Sequence, residues 1–167
     1  MPFTPYHLGP AFAFGLPLRN KIHAPTFIIA NVILDVEPFL VLVLGLDYPL
    51  HGYLHTFIIS FFIGLVLGYA TFLLEGFLCP LNKALLLDSS KVLDFRSFLL
   101  AGVSGTFLHV LIDSPLYTDI RPFYPLIMNP MFCPSLTSDI YNISFWMGIL
   151  DLMYYVVLMI KSPYGKA

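Results

Sequence analysis

Apolar residues run through this chain in long stretches separated by short polar breaks. Residues 56–74 carry no charge at all, a run close to the ~20 residues a helix needs to cross the hydrocarbon of a bilayer. It lies within a predicted span over residues 51–78. Three more spans are predicted at residues 24–46, 97–115 and 139–160. A shorter apolar segment, residues 3–18, carries Pro5, Pro10 and Pro17, each of which weakens a helix or marks its end. Counted together these give about five transmembrane helices, so the fold class expected is all-α, a polytopic helical membrane bundle forming one domain over residues 1–167.

Composition strengthens that picture. Hydrophobic residues make up 58% of the chain and charged residues 11%, too little charge to cover a water-soluble globule. A formal net charge of −2 with no basic stripe excludes a nucleic-acid partner. Membrane lipids are the partners expected instead. The first residues lack the positive charge of a signal peptide and are expected to be retained. Two widely separated cysteines, Cys79 and Cys133, do not make a disulfide framework or a zinc ribbon.

Charge placement also orients the spans, because cytoplasmic loops carry the excess of Lys and Arg. With five spans, Arg19, Lys21, Lys83, Lys91, Arg96, Lys161 and Lys166 all fall on one side, and only Arg121 falls on the other. An integral protein of the cytoplasmic (inner) membrane follows, with the connection at residues 116–138 outside. The stretch 88–94 reads as an ordinary wet loop.

Charged groups inside a membrane cost roughly 2.5–3.5 kcal/mol each on insertion scales, so those that persist need partners and usually a function. Three clusters stand out: Asp35 with Glu37, His51 with His55, and His109 with Asp113. Residues four apart share a helix face, so each histidine-containing pair can present two ligands in one direction. Asp35 and Glu37 diverge on an ideal helix, but Pro38 is expected to push Glu37 out of helical geometry and turn both carboxylates to one cavity. His7 sits at the same outer end, whereas His23 falls beside Lys21 on the other.

Imidazole with carboxylate suits a divalent metal, zinc first, with manganese or iron as alternatives, and one or two ions. The expected ligands are His7, Asp35, His51, His55, His109 and Asp113. Such an ion brings coordinated water toward a pKa of ~7, and a spare carboxylate, Glu37, is the candidate general base. Arg121 can clamp a phosphate or carboxylate, although Asp119 offers itself as an ordinary loop ion pair. Asp151 is expected to hold a structural hydrogen bond, Glu75 to reach the interface, and Trp146 and the tyrosines near Tyr154 to face lipid.

These motifs resemble those of the predicted membrane-bound metal-dependent hydrolases of the YdjM-like, LexA-regulated type, over most of the chain. The likeness rests on Tyr6-His7, Asp35-Val36-Glu37, His51-Gly52-Tyr53-Leu54-His55-Thr56, Leu108-His109-Val110-Leu111-Ile112-Asp113 and the stretch Pro122-Phe123-Tyr124-Pro125. It departs where the first histidine motif lacks the usual arginine and threonine and sets its histidines one residue closer, and where Leu34 replaces a usual proline. The resemblance implies a hydrolase.

The function expected is therefore hydrolysis of an ester or phosphoester, a lipid being one substrate, by metal-activated water at the extracytoplasmic face. The alternative is a transporter of divalent cations or protons, which would continue polar groups to the opposite face. Only Asp151 and Glu75 offer themselves there, and neither has a partner evident in the sequence. A third reading is a metal that only ties helices together.

Overall fold

The computed structural model describes residues 5–87 and 93–161, and its regular elements there are all helical. In chain order they are α1 (Leu8–Leu18), α2 (Ala24–Ala30), α3 (Val36–Leu44), α4 (Phe57–Ala84), α5 (Phe95–Asp113) and α6 (Thr137–Lys161). Short 3₁₀ turns at Pro5–His7, Ile33–Asp35, Tyr53–His55 and Pro134–Leu136 join or precede them.

Four stretches are long and apolar enough to cross a membrane: Ala24–Leu44, Phe57–Ala84, Phe95–Asp113 and Pro134–Lys161. The first apolar segment differs from expectation. Its helix has 11 residues, about 16 Å at 1.5 Å per residue, which is half a bilayer core. Residues 1–4, 88–92 and 162–167 lie outside the described residues, and with them Lys91, Lys166 and most of the expected wet loop. Exposure is inverted relative to a soluble protein. Phe77 is 83% exposed and Val66, Leu73 and Trp146 point outward, while histidines, threonines and aspartates fill the interior. Apolar outer faces of this kind suit a bilayer rather than water.

Two of the predicted spans begin or bend in ways the apolar pattern does not disclose. Ala24–Leu44 is not one continuous helix: α2 stops at Asn31, a 3₁₀ turn carries Asp35, and α3 begins at Val36. Pro38 is not the cause, because it sits in the first turn of α3, where a missing N–H is tolerated. Glu37 accordingly stays helical, and the break lies upstream at Val32, whose φ of −127° leaves the helical region. The helix expected from residue 51 starts only at Phe57. Thr56 caps it, its Oγ1 accepting from the Ile59 N–H at 3.2 Å, so His51 and His55 precede the helix.

α5 is the central element. Asp94 caps its start by accepting from the Ser97 N–H at 3.0 Å and the Ser97 hydroxyl at 2.6 Å. Glycines then let neighbours approach on two sides. A Cβ on Gly64 of α4 would lie 2.7 Å from Val103 Cα, and one on Gly102 would run into the Gly64 carbonyl oxygen. A Cβ on Gly105 would lie 2.6 Å from the Phe27 carbonyl oxygen of α2. Small residues at such crossings give membrane helices the close packing that replaces a hydrophobic driving force. Thr106 fastens the same interface through its hydroxyl, donating to the Ser60 carbonyl at 2.8 Å. α6 packs on α1, where Gly9 touches the Ser144 backbone.

The connection at residues 114–136 is folded back on the bundle. The Phe57 N–H donates to the Pro122 carbonyl at 2.9 Å, the Asn129 side chain donates to the carbonyls of Ser114 and Tyr117, and Ile120 is fully buried. Cys79 and Cys133 are both free thiols. Replacing Gly102 by valine should force α4 and α5 apart at the cost of about 1–3 kcal/mol for overpacking. Thermal unfolding in detergent should show a lowered Tm, and an unchanged Tm would mean that the close crossing is not needed.

Candidate metal centre

The six ligand candidates are delivered by four pieces of backbone. His7 ends the 3₁₀ turn before α1, Asp35 ends the turn before α3, His51 and His55 belong to the segment before α4, and His109 and Asp113 lie on the last turns of α5. All six are buried, at 0–3% exposure. The helical argument holds for His109 and Asp113, whose Nε2 and Oδ2 are 3.4 Å apart. It fails for His51 and His55. They meet instead through a turn, with rings edge to face at 4.9 Å.

The tautomers follow from the outer partners. The Nδ1–H of His109 donates to the Asn31 carbonyl at 2.9 Å, and the Nδ1–H of His55 donates to Glu37 Oε2, also at 2.9 Å. Both acceptors carry no hydrogen to give, so each ring, when neutral, keeps its lone pair on Nε2. These two Nε2 atoms face one another at 3.2 Å. Two neutral imidazoles so disposed repel, and either a shared proton or a metal ion between or beside them removes the repulsion. His51 repeats the arrangement, its Nδ1–H donating to Asp119 at 3.1 Å.

Asp113 lies at the junction. Its Oδ1 is 3.0 Å from His7 Nε2, and its Oδ2 is 4.0 Å from His55 Nε2 as well as close to His109. Asp35 completes the centre with Oδ1 3.8 Å from His109 Nε2, beyond hydrogen-bonding distance. Among the described residues, Asp35 Oδ2 and His7 Nδ1 are buried polar atoms without a hydrogen-bond partner. A buried carboxylate with no donor is costly, and a cation is the remedy this donor set is built to accept. The residues form two groups whose ligand atoms lie within 4.8 Å of one another and can hold a metal ion: His7, Asp35, His109 and Asp113, and His51, His55 and Asp113.

Glu37 occupies a different place from that of a general base. Its carboxylate accepts from His55, from the N–H groups of Gly52 and Leu54 at 2.9 and 3.3 Å, and from the Tyr48 hydroxyl at 3.4 Å. Both oxygens are thus committed to holding the histidine turn. Asp119, which the sequence offers to Arg121, is engaged by His51 through both its ring and its backbone N–H. Burial works against the charged carboxylate of Asp119, but these hydrogen bonds hold its pKa below the ordinary range. Arg121 is exposed and lines a cavity of about 70 Å³ with His51, Thr56, Asp119 and Tyr124.

Three further residues escaped sequence reasoning. Asn31 joins three pieces, accepting from His109 and donating its side-chain N–H to the His7 carbonyl. Tyr117 places its ring 4.1 Å from that of His51. His23 belongs to a second polar cluster: its Nε2 is 3.1 Å from Glu75 Oε2, and its Nδ1 is 2.7 Å from the Thr26 hydroxyl. Glu75 therefore has a partner, contrary to expectation. Asp151 shows the opposite difference. Its Oδ2 is buried without a hydrogen bond among the described residues, beside an apolar cavity of about 520 Å³ between α1, α6 and residues 85–87.

A carboxylate that orients a ligating histidine typically contributes 10–100-fold to metal affinity. Glu37→Gln should weaken binding of Zn²⁺ or Mn²⁺ within that range, measured by competition with a chelating dye, without abolishing it. Complete loss of binding would place Glu37 among the ligands themselves.

Comparison of the chain with protein-family models, with curated proteins and with solved structures returned no match.

Proposed function

We propose that this chain is a membrane-embedded, metal-dependent hydrolase that cleaves an ester or phosphoester with metal-activated water. The observation that carries the proposal is the convergence of the His55 and His109 Nε2 lone pairs on Asp113, with each Nδ1 tied from behind. When bound there, a divalent ion supplies hydroxide at neutral pH and polarises the bond to be cleaved. Zinc suits the donor set best, with manganese or iron the alternatives.

The chain's own residues supply the remaining tasks. Glu37 and Asp119 hold the tautomers of His55 and His51 and supply negative charge behind them. Arg121, at the exposed mouth beside His51, is placed to bind an anionic group of the substrate through its planar fork of donors. A lipid headgroup is the substrate this position favours, since the centre lies among helices that are apolar on their outer faces. The likeness of the histidine and aspartate motifs to the YdjM-like hydrolases supports the same reading.

The excess of Lys and Arg on the opposite connections supports a cytoplasmic-membrane protein with its centre on the extracytoplasmic side. Transport of divalent cations or protons is the second reading, and the His23–Glu75 cluster speaks for it. Against it stands the close crossing of Gly64, Gly68 and Gly102 between that cluster and the candidate metal centre, where backbone meets backbone.

Two outcomes are expected. Asp113→Asn should abolish hydrolysis of a chromogenic phosphoester or ester by the purified protein while Tm stays within a few degrees, and full turnover by this variant would remove Asp113 from the mechanism. In intact cells a membrane-impermeant maleimide should label Cys133 and leave Cys79 unmodified until the membrane is opened. The reverse pattern would invert the orientation.

A further inference from the structure

We infer that the centre holds two divalent ions bridged by Asp113, one enclosed and one open to the Arg121 cavity. This rests on the metal-dependent reading above and deepens it. Six ligand side chains exceed what one ion with four ligands can use, and they do not form one set. His51, His55 and Asp113 form one group and His7, Asp35, His109 and Asp113 the other, and the two meet where His55 Nε2 and His109 Nε2 lie 3.2 Å apart. An ion with ligands at ~2.0–2.2 Å cannot join ligand atoms more than ~4.4 Å apart, so an elongated donor set calls for two centres. Asp113 is the residue common to both groups, and its oxygens are offered to different histidines: Oδ1 to His7, Oδ2 to His109 and His55.

Charge gives an independent argument. Asp35, Glu37, Asp113 and Asp119 bring four carboxylates to one end of the bundle, three of them with side chains less than a tenth exposed. Against the three enclosed carboxylates one divalent cation would leave a charge uncompensated in a medium where that is expensive, and a second would cover it. Glu37 and Asp119 stand behind His55 and His51, so the outer group carries two of these charges in its outer shell.

The two groups differ in what they leave free. His7, Asp35, His109 and Asp113 make four ligands, the complement of a closed site. His51, His55 and Asp113 make three, the number that leaves a position for water, and His51 also lines the cavity that holds Arg121. The enclosed ion is a structural and electrostatic partner, and the outer one is the site of chemistry. Paired ions ~3.5–4 Å apart clamp both the attacking and the leaving oxygen of an in-line displacement, which, with Arg121 beside them, narrows the substrate class to phosphoesters.

The test uses the full chain in detergent, stripped with a chelator and reloaded with Mn²⁺. Inductively coupled plasma mass spectrometry should find about two ions per chain, and electron paramagnetic resonance should show an exchange-coupled pair. His51→Ala should keep one ion and give the six-line spectrum of isolated Mn²⁺, His7→Ala should also lose one, and Asp113→Ala should retain neither firmly. If a variant does not fold, judged by gel filtration and circular dichroism, the stoichiometry and spectrum of the unaltered chain decide alone. One uncoupled ion per chain would overturn the bridged pair while leaving a single-metal hydrolase standing, and no bound ion would overturn both.

Discussion

Negative charge buried within an apolar bundle is the constraint from which the rest of this structure follows. Asp35 and Asp113 are nearly inaccessible, and an uncompensated carboxylate in such surroundings would oppose folding by several kcal/mol. Four imidazoles converge on them, yet those whose Nδ1–H is already donated to an acceptor cannot all supply a further proton. The centre is thus a buried set of imidazole nitrogens and carboxylate oxygens that can hold a cation.

The scaffold serves the same end. α5 brings His109 and Asp113 to the centre while its glycines let α2 and α4 lie against it, so that Asn31, His55 and His109 come within hydrogen-bonding distance of one another's atoms. The folded-back connection at 114–136 supplies Asp119 and Tyr117 behind and beside His51. The opposite end is closed by its own pair, His23 and Glu75, on the far side of the glycine crossing.

Much of this was legible in the sequence because a bilayer writes a strong signal. Four apolar stretches of spanning length, and polar residues conspicuous inside them, mark both the helices and the six histidine and aspartate side chains that the fold gathers. What was not legible lay where backbone leaves the helix. The pair His51 and His55 fits a helical spacing, yet the capping hydroxyl of Thr56 starts the helix after them. Glu37 reads as a spare base until the N–H groups of Gly52 and Leu54 are seen to occupy it. Asp119 and Asn31 act through partners 68 and 78 residues away, a separation on which local spacing carries no information.

The brevity of α1 has a consequence for the surrounding membrane. The helix runs only about 16 Å from His7, at the metal centre, to Arg19, whose guanidinium donates to the Leu86 carbonyl at the far end of the bundle. An intact hydrocarbon layer is roughly twice that depth, so α1 by itself is too short to bridge it, and a bilayer seated against it would have to thin. Acyl-chain length in a host bilayer thereby bears on how well this short helix is matched to its surroundings, while the four longer stretches carry the full crossing.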